Sequence, residues 1–348
     1  MTNIRFGFCL PIFASPGVNL FRTPGFSAVD PAVALALGRQ AEALGYDSLW
    51  VADHLMLGRD QAIMEGWTTL AALAGMTRRA RLGMIHYNNA LRHPALTAKM
   101  VATLDQISGG RLIHFVDYGN RPPEYLAYGL HADNAREERI AEMCEGIEIA
   151  LALWSGLTVT RYGRFYEVRE AVCQPMPLQK PHPPIWIGEA HNEILAATAR
   201  YAQGWNSTPV STAELRRRLS ALRTACEQTG RDYTTLDLSL EMQVLVAPDH
   251  TRLRQKLNSL ISLAPYHEPP DAALQTYLTG DTDELPPALA DTWIAGTPEQ
   301  AAQRVQAYID EGISHFLLWF VDAPDDSGLR LFAEQVAPQF RHRDNSEF

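Results

Sequence analysis

Several polar side chains stand directly after short apolar runs, and their types suit proton transfer. Asp53 and His54 end the run "SLWVADH", His86 and Asn88 fall in "MIHYNN", and Asp117 ends "RLIHFVD". An imidazole titrates near neutral pH and a neighbouring carboxylate tunes that titration, so such residues can act as general acids or bases. His54 and Asp117 are therefore the candidate catalytic residues. The alternative is that Asp53 only starts a helix and His54 only packs.

Two further interpretations of these residues stay open. Alternation along a strand can turn His86 or His114 into the layer beneath a site or out toward a helix, which would make either one structural. A metal centre would need ligands from several strand ends, and Asp53, His54, His86 and Asp117 are the candidates. The first apolar run, "FGFCLP", offers no such ligand. We therefore expect no metal site.

A glycine marks the junction "IWIGEAHNEILAA", where an apolar run passes into a helical pattern. The free N–H groups at the start of a helix can cradle a phosphate. Gly188, Glu189 and Ala190 are therefore candidate cofactor-binding residues. The same junction serves equally well as a tight turn.

The elements that must position these residues alternate between apolar runs and amphipathic helical patterns. Eight runs have strand character, and this rhythm is typical of a parallel sheet. The predicted fold class is α/β, a (β/α)8 TIM barrel, whose chemistry gathers where the strands end. A doubly wound open sheet is the alternative. We expect one barrel domain over residues 1–348 with insertions near 157–183 and 262–292, and a candidate lid from Pro265 to Leu289.

Composition and charge narrow the class of function. A formal charge of −10 and a pI near 5.6 argue against a nucleic-acid or anionic-membrane partner, because polyanions are not attracted to an acidic protein. The N-terminal sequence "MTNIRFGFCLP" lacks a signal-peptide pattern, which predicts a cytoplasmic protein with a small-molecule substrate. The cysteines show no CxxC spacing and are expected to be core thiols: Cys9, Cys144, Cys173 and Cys226.

Five stretches spread almost from end to end carry a family resemblance: "AEALGYDSLWVADH", "RRARLGMIHYNNALRHPALTAKMVATLDQISGGRL", "PHPPIWIGEA", "ARYAQGWN" and "AGTPEQAAQRVQAYIDEGISHFLLWF". Together they resemble the bacterial luciferase-like family of flavin-dependent oxidoreductases, which includes FMN monooxygenases and coenzyme F420-dependent dehydrogenases and reductases. The resemblance implies a (β/α)8 barrel, a flavin-type ring across its C-terminal mouth and a homodimer.

The resemblance also implies cofactor contacts for individual residues. His54, with Asp53 beside it, matches a strand-two histidine next to the ring, and Asn88 matches a polar residue near the pyrimidine edge. The bond between Ile85 and His86 matches a position where family members often carry a non-proline cis peptide. We therefore predict a cis bond between Ile85 and His86.

Other matches come with departures from the family pattern. Glu124 and Arg139 match positions that contact the cofactor or its supporting loop. Asp117 and Tyr118 replace small residues of the glycine-rich turn that follows strand four in reductase-type members. At the phosphate turn, Glu189 replaces the second of two glycines, and a glutamate there would repel a phosphate unless its side chain pointed away or met a cation.

The sequence thus predicts a flavin-dependent oxidoreductase acting on a small organic molecule. A two-component FMN monooxygenase, supplied with reduced flavin by a separate reductase, is favoured because the reductase-type glycine turn is missing. A coenzyme F420-dependent dehydrogenase or reductase is the alternative, and a flavin-binding barrel without catalysis is the alternative from another class. Aromatic residues at the strand ends suggest an apolar or aromatic substrate: Phe13, Tyr87, Tyr118, Trp319 and Phe320.

Overall fold

A computed structural model describes residues 3–14, 28–130, 135–263 and 271–341. Residues 264–270, which include the first part of the predicted lid, lie outside this range. Within it the strands are, in chain order, β1 (Arg5–Cys9), β2 (Ser48–Val51), β3 (Arg81–Met84), β4 (Tyr87–Asn88), β5 (Leu112–Asp117), β6 (Val159–Tyr162), β7 (Glu167–Ala171), β8 (Ile185–Gly188), β9 (Gly204–Ser207), β10 (Asp237–Val246), β11 (Trp293–Gly296) and β12 (His315–Phe320).

Eight of these strands close into a parallel barrel. The order around it is β1, β2, β3, β5, β8, β9, β10 and β12, and β12 pairs back to β1. The barrel strands are almost wholly buried, as expected when side chains fill the interior and helices cover the outside. The predicted (β/α)8 TIM barrel is confirmed.

The helices of the described ranges are α1 (Pro31–Ala43), α2 (Gly66–Met76), α3 (Pro94–Ser108), α4 (Pro122–Ala127), α5 (Arg136–Leu153), α6 (Asn192–Tyr201), α7 (Thr212–Thr229), α8 (His250–Ser262), α9 (Ala272–Thr279), α10 (Pro287–Ala290), α11 (Pro298–Asp310) and α12 (Ser327–Leu331). Capping side chains set several starts; the Asp30 carboxylate, for example, accepts the N–H groups of Ala32 and Val33. In the described part of the chain, no helix combines the length and the apolar character needed to cross a membrane.

Two tryptophans fill the barrel interior, and glycines on neighbouring strands make room for them. The rings of Trp50 and Trp186 are fully buried, with centroids 5.5 Å apart. A Cβ atom on Gly83 would lie 2.2 Å from the Trp50 ring, and one on Gly204 would lie 2.3 Å from Nε1 of Trp186. Since such distances are shorter than van der Waals contact, any larger residue at either glycine must displace a tryptophan.

The third predicted strand is divided into β3 and β4. Its pairing with β5 shifts by one residue between Gly83 and Tyr87, so that one extra residue is accommodated as a β-bulge. The peptide bond between Ile85 and His86 lies in this bulge and is cis, as predicted. A bulge re-aims the side chains on either side of it, and His86 faces the same end of the barrel as Asp117.

The regions predicted as insertions contain structure of their own. Residues 157–183 carry the antiparallel β6–β7 hairpin. The sequence did not indicate β11, a four-residue strand that pairs with the second half of β10, while β9 pairs with the first half of the same edge. Together with α8 and α9, β11 packs around a separate hydrophobic cluster that includes Leu245, Leu253, Leu257, Tyr277 and Trp293.

Candidate active site

His54 lies just past the end of β2, where a buried carboxylate holds its ring. Nδ1 of His54 is 2.9 Å from Oε2 of Glu124, which α4 brings to this position. The Glu124 side chain is 1% exposed, whereas 20% of the His54 side chain remains exposed. No residue of the described ranges forms a hydrogen bond with Nε2 of His54. The protein therefore orients the pair through Nδ1, and part of the His54 side chain remains exposed.

Glu124 also fixes the loop that follows His54. Its Oε1 accepts the N–H groups of Leu55 and Met56. Burial raises the pKa of this carboxyl, but the hydrogen bonds from His54 and from the loop outweigh burial, and the net pKa of Glu124 is lowered. An ionised carboxylate only accepts, so Nδ1 of His54 carries a proton, and a ring that carries one proton therefore presents a lone pair on Nε2. The arrangement suits a general base.

A second histidine–carboxylate pair stands on the neighbouring strands. Nδ1 of His86 is 3.6 Å from Oδ2 of Asp117, and Oδ1 of Asp117 accepts the N–H of Gly119 at 2.6 Å. The His86 ring packs edge-on against Phe115, with centroids 4.6 Å apart. Within the described ranges, no group of three His, Cys, Asp or Glu side chains comes together in a way that could hold a metal ion.

Asp53 and Asn88 are tied into the protein at the same end of the barrel. The Asp53 carboxylate receives the Arg92 guanidinium at 2.7 and 2.9 Å and the N–H of Asn88 at 3.0 Å. Burial raises the pKa of Asp53, and Arg92 opposes that rise. The Asn88 amide donates to the Tyr125 hydroxyl and accepts from the N–H of Ala90. These side chains join the ends of the second and third strands, and their contact with a cofactor stays a prediction.

The loop after β5 is supported from α5. Arg139 donates from Nε to the carbonyl oxygen of Gly119 at 3.0 Å, and its guanidinium lies 5.6 Å from the centre of the Tyr118 ring. Burial and the nearby carboxylates of Asp117 and Glu189 raise the pKa of Tyr118. Arg139 thus supports a loop that lies near the two carboxylates of Asp117 and Glu189.

The turn after β8 holds Glu189 in a backbone conformation that favours glycine. Its φ is +81°, its N–H donates to the carbonyl oxygen of Asn206, and its own carbonyl accepts from Nε1 of Trp205. These two hydrogen bonds stabilise a positive-φ conformation of Glu189 that a glycine at this position would adopt readily. Gly188 and Ala190 flank this turn, and α6 begins at Asn192 without a side-chain cap on its N-terminal N–H groups.

Not every predicted aromatic residue faces the mouth. Tyr87 donates to or accepts from the Thr97 hydroxyl of α3, and Phe320 packs against Tyr46 and Phe332 outside the barrel. Side chains alternate along a strand, and these two point toward the helices, so they pack in the core and do not line the mouth. The Phe13 and Trp319 rings pair edge-on, with centroids 5.7 Å apart.

His114 is structural. It packs between Tyr87 and Trp154, with ring centroids 5.2 and 5.8 Å away. Sequence reasoning missed Arg92 and Tyr125, whose partners Asp53 and Asn88 lie 39 and 37 residues away along the chain. No local signal marks contacts at such a separation.

The comparison with known families agrees with this architecture. A family model described as luciferase-like monooxygenase matches residues 4–315. The chain belongs to this luciferase-like family. It is accordingly a luciferase-like oxidoreductase.

Relatives of this luciferase-like protein include enzymes named for coenzyme F420 and an enzyme named as a monooxygenase. The F420-dependent glucose-6-phosphate dehydrogenase of Microbacterium testaceum is 29% identical over 325 residues, which cover 89% of this chain and 93% of the relative. A solved monooxygenase from Streptomyces bottropensis has a TM-score of 0.75 and 25% identity, over 97% of this chain and 100% of that one. A solved F420-dependent secondary alcohol dehydrogenase has a TM-score of 0.75 and 19% identity, over 98% and 100% of the two chains, and shows the shared fold alone.

Proposed function

We propose that this luciferase-like protein transfers a hydride between coenzyme F420 and a small alcohol or carbonyl compound. The pair of His54 and Glu124, with Nδ1 and Oε2 2.9 Å apart, carries this proposal. An alcohol that loses a hydride from carbon must also lose its hydroxyl proton, and a base at the mouth accelerates that loss. His54 takes the proton on Nε2, and the Glu124 carboxylate stabilises the imidazolium that results.

The residues at the mouth fit a flat heteroaromatic ring with a polar edge. His86 and Asp117 offer a donor and an acceptor side by side. Oδ1 of Asn206 is buried and has no hydrogen-bond partner in the described ranges, and the start of α6 has no side-chain cap. These groups would hold the ring edge and an anionic tail. When bound, the deazaflavin ring supplies the hydride acceptor or donor.

The choice of F420 over FMN rests on the relatives and on the turn after β5. The preference for an FMN monooxygenase depended on the missing glycine-rich turn. Gly119 alone supplies a left-handed residue there, with φ +84°, and the Asp117 carboxylate accepts its N–H. The missing glycines therefore do not argue against hydride transfer. The M. testaceum relative, named for F420, supports the same choice.

An FMN monooxygenase, fed by a separate reductase, is the second candidate. The 25% identity to the S. bottropensis monooxygenase favours it. It would need O2 and reduced FMN, whereas the F420 enzyme needs neither.

Turnover assays distinguish the candidates. We expect the purified protein to bind F420 and to bleach it only when an alcohol is added, with glucose 6-phosphate and simple secondary alcohols as the first substrates. Consumption of O2 with reduced FMN and a substrate would instead establish the monooxygenase. Tight cofactor binding without turnover in either assay would identify a non-catalytic barrel. Homodimer formation stays a prediction, which light scattering tests.

A further inference from the structure

The contact between His86 and Asp117 is unusual in its spacing. Their atoms Nδ1 and Oδ2 are 3.6 Å apart, which is close enough for attraction but longer than an ordinary hydrogen bond. The two side chains are 17% and 8% exposed, so each keeps a small part of its surface open. Nε2 of His86 is buried and has no hydrogen-bond partner in the described ranges. The exposed part of the ring therefore lies away from Nε2.

Protein contacts fix both members of the pair. The Asp117 carboxylate is held by the N–H of Gly119 at 2.6 Å, and β4 pairs with β5 so that Asn88 lies opposite Asp117. The His86 ring is held edge-on by Phe115. Because the carboxylate attracts a proton to the nearer nitrogen, Nδ1 of His86 is a donor and Oδ2 of Asp117 is an acceptor.

A donor and an acceptor that stand side by side match a group with an N–H beside a carbonyl oxygen. An imide edge presents an N–H beside a carbonyl oxygen, and it pairs with an acceptor and a donor that stand side by side. The pyrimidine-dione edge of flavin-type rings is such an imide. The Asn88 amide lies nearby, but it already donates to the Tyr125 hydroxyl and accepts the N–H of Ala90.

We propose that His86 and Asp117 form an imide clamp, in which His86 donates from Nδ1 to a ring carbonyl and Asp117 accepts the ring N–H on Oδ2. Asp117 of this clamp stands where the family resemblance leads one to expect a small residue. It rests on the proposed function only for the presence of a flavin-type ring, because FMN and F420 share the imide edge. Both residues would bind the cofactor and neither would transfer a proton.

N3-methylation of the cofactor tests the clamp, because it removes the N–H and leaves the rest of the ring. FMN and F420 are each titrated against their N3-methylated forms by fluorescence. We expect the wild type to bind the methylated form of its cofactor about tenfold more weakly or worse, which corresponds to the loss of one charge-assisted hydrogen bond. In Asp117→Ala, both forms should bind with equal affinity.

The variant His86→Phe, compared with a control variant, tests whether His86 binds the cofactor or only supports the structure. His86→Phe keeps a ring against Phe115 but loses the donor, and we expect about tenfold weaker binding of the unmethylated cofactor. The control His114→Gln, on β5 with its side chain packed between Tyr87 and Trp154 and not in the mouth, should bind within twofold of wild type. A general loss of structure would weaken both cofactor forms alike and would count against the clamp.

Two results would overturn the assignment. Equal wild-type affinity for the methylated and unmethylated cofactor would remove the clamp and leave the proposed function standing, provided that F420 is still reduced by an alcohol. A wild type that binds neither FMN nor F420 would overturn the proposed function and the clamp together.

Discussion

In the proposed reaction His54 is the base, and Glu124 orients its ring. In His54→Ala the base is lost while the rest of the mouth is unchanged. We expect turnover with F420 to fall by about 10²-fold or more, with cofactor affinity little altered, because proton transfer by a positioned side chain contributes about 10²–10⁴-fold. Steady-state kinetics beside a cofactor titration measures both quantities. An equal loss of both would make His54 a binding residue.

Burial changes the pH at which His114 gains a proton. Burial, with a smaller effect from His182, lowers the pKa of His114 to about 3. An unfolded histidine titrates near pH 6.5, so between about pH 6 and pH 4 only the unfolded chain gains this proton, and stability falls as the pH falls.

His114→Gln tests this linkage. Its free energy of unfolding should fall less steeply than that of the wild type, by about 1.4 kcal/mol per pH unit over the same window. Urea unfolding at several pH values measures the slopes. Parallel curves for the two proteins would contradict the assignment of a neutral His114.

Among the elements, α4 is the one that completes the site, because it carries both Glu124 and Tyr125. The turn that leads into α4 leaves no room for a side chain at Gly119. A Cβ atom there would lie 2.6 Å from Oδ1 of Asn88 and 2.7 Å from the Tyr125 hydroxyl. Gly129, just past α4, also has a positive φ, but no atom lies within 4 Å of its would-be Cβ.

These two glycines form a matched pair of tests. Gly129→Ala should cost about 1 kcal/mol of stability for its backbone conformation alone. Gly119→Ala should cost more and lower turnover about tenfold, because displacement of α4 moves Glu124 away from His54. Thermal melts and kinetics on both variants check this. Equal effects at the two positions would show that α4 tolerates displacement.

The tightest strand-to-strand fit occurs at Gly83, against Trp50. Gly83→Ala should destabilise the protein by about 1–3 kcal/mol through overpacking. Gly75→Ala, on the exposed side of α2 with no atom within 4 Å, should instead stabilise it by about 0.5–1 kcal/mol. Chemical unfolding compares the two. A neutral Gly83→Ala variant would mean that the Trp50 ring can move aside.

The barrel strands could be predicted from the sequence because each is a continuous apolar run bounded by turn residues. β11 escaped prediction because four residues before a helix cap give too short a pattern. The bulge in strand three escaped as well, since it is defined by pairing with β5. At the site, His54 and Glu124 are 70 residues apart. The family resemblance was the only argument that indicated His54 and Glu124 together. Nothing in their separation along the chain indicated that the two side chains are in contact.

At the scale of the whole molecule, the barrel and its helices protect all four cysteines. Each is free, three are buried and Cys144 is partly buried. Burial raises the pKa of Cys144 to about 11 and holds the pKa of Cys9 well above its usual value.

Thiol titration tests this protection. The native protein should react with less than about one equivalent of a thiol reagent per chain at neutral pH, and the denatured protein with four. Reductant should leave the melting temperature unchanged. Rapid reaction of two or more thiols in the native state would contradict the burial described for them.

β10 has two successive neighbours along one edge, β9 for its first half and β11 for its second. The ring of the barrel is complete before β11 begins to pair, and the helices between β10 and β11 pack on their own hydrophobic cluster. Barrel closure therefore does not depend on the pairing of β11. We expect this part of the chain to tolerate changes of length and sequence better than the barrel strands do, provided that the ion pair of Lys256 with Asp322 and the packing against Leu245 are kept.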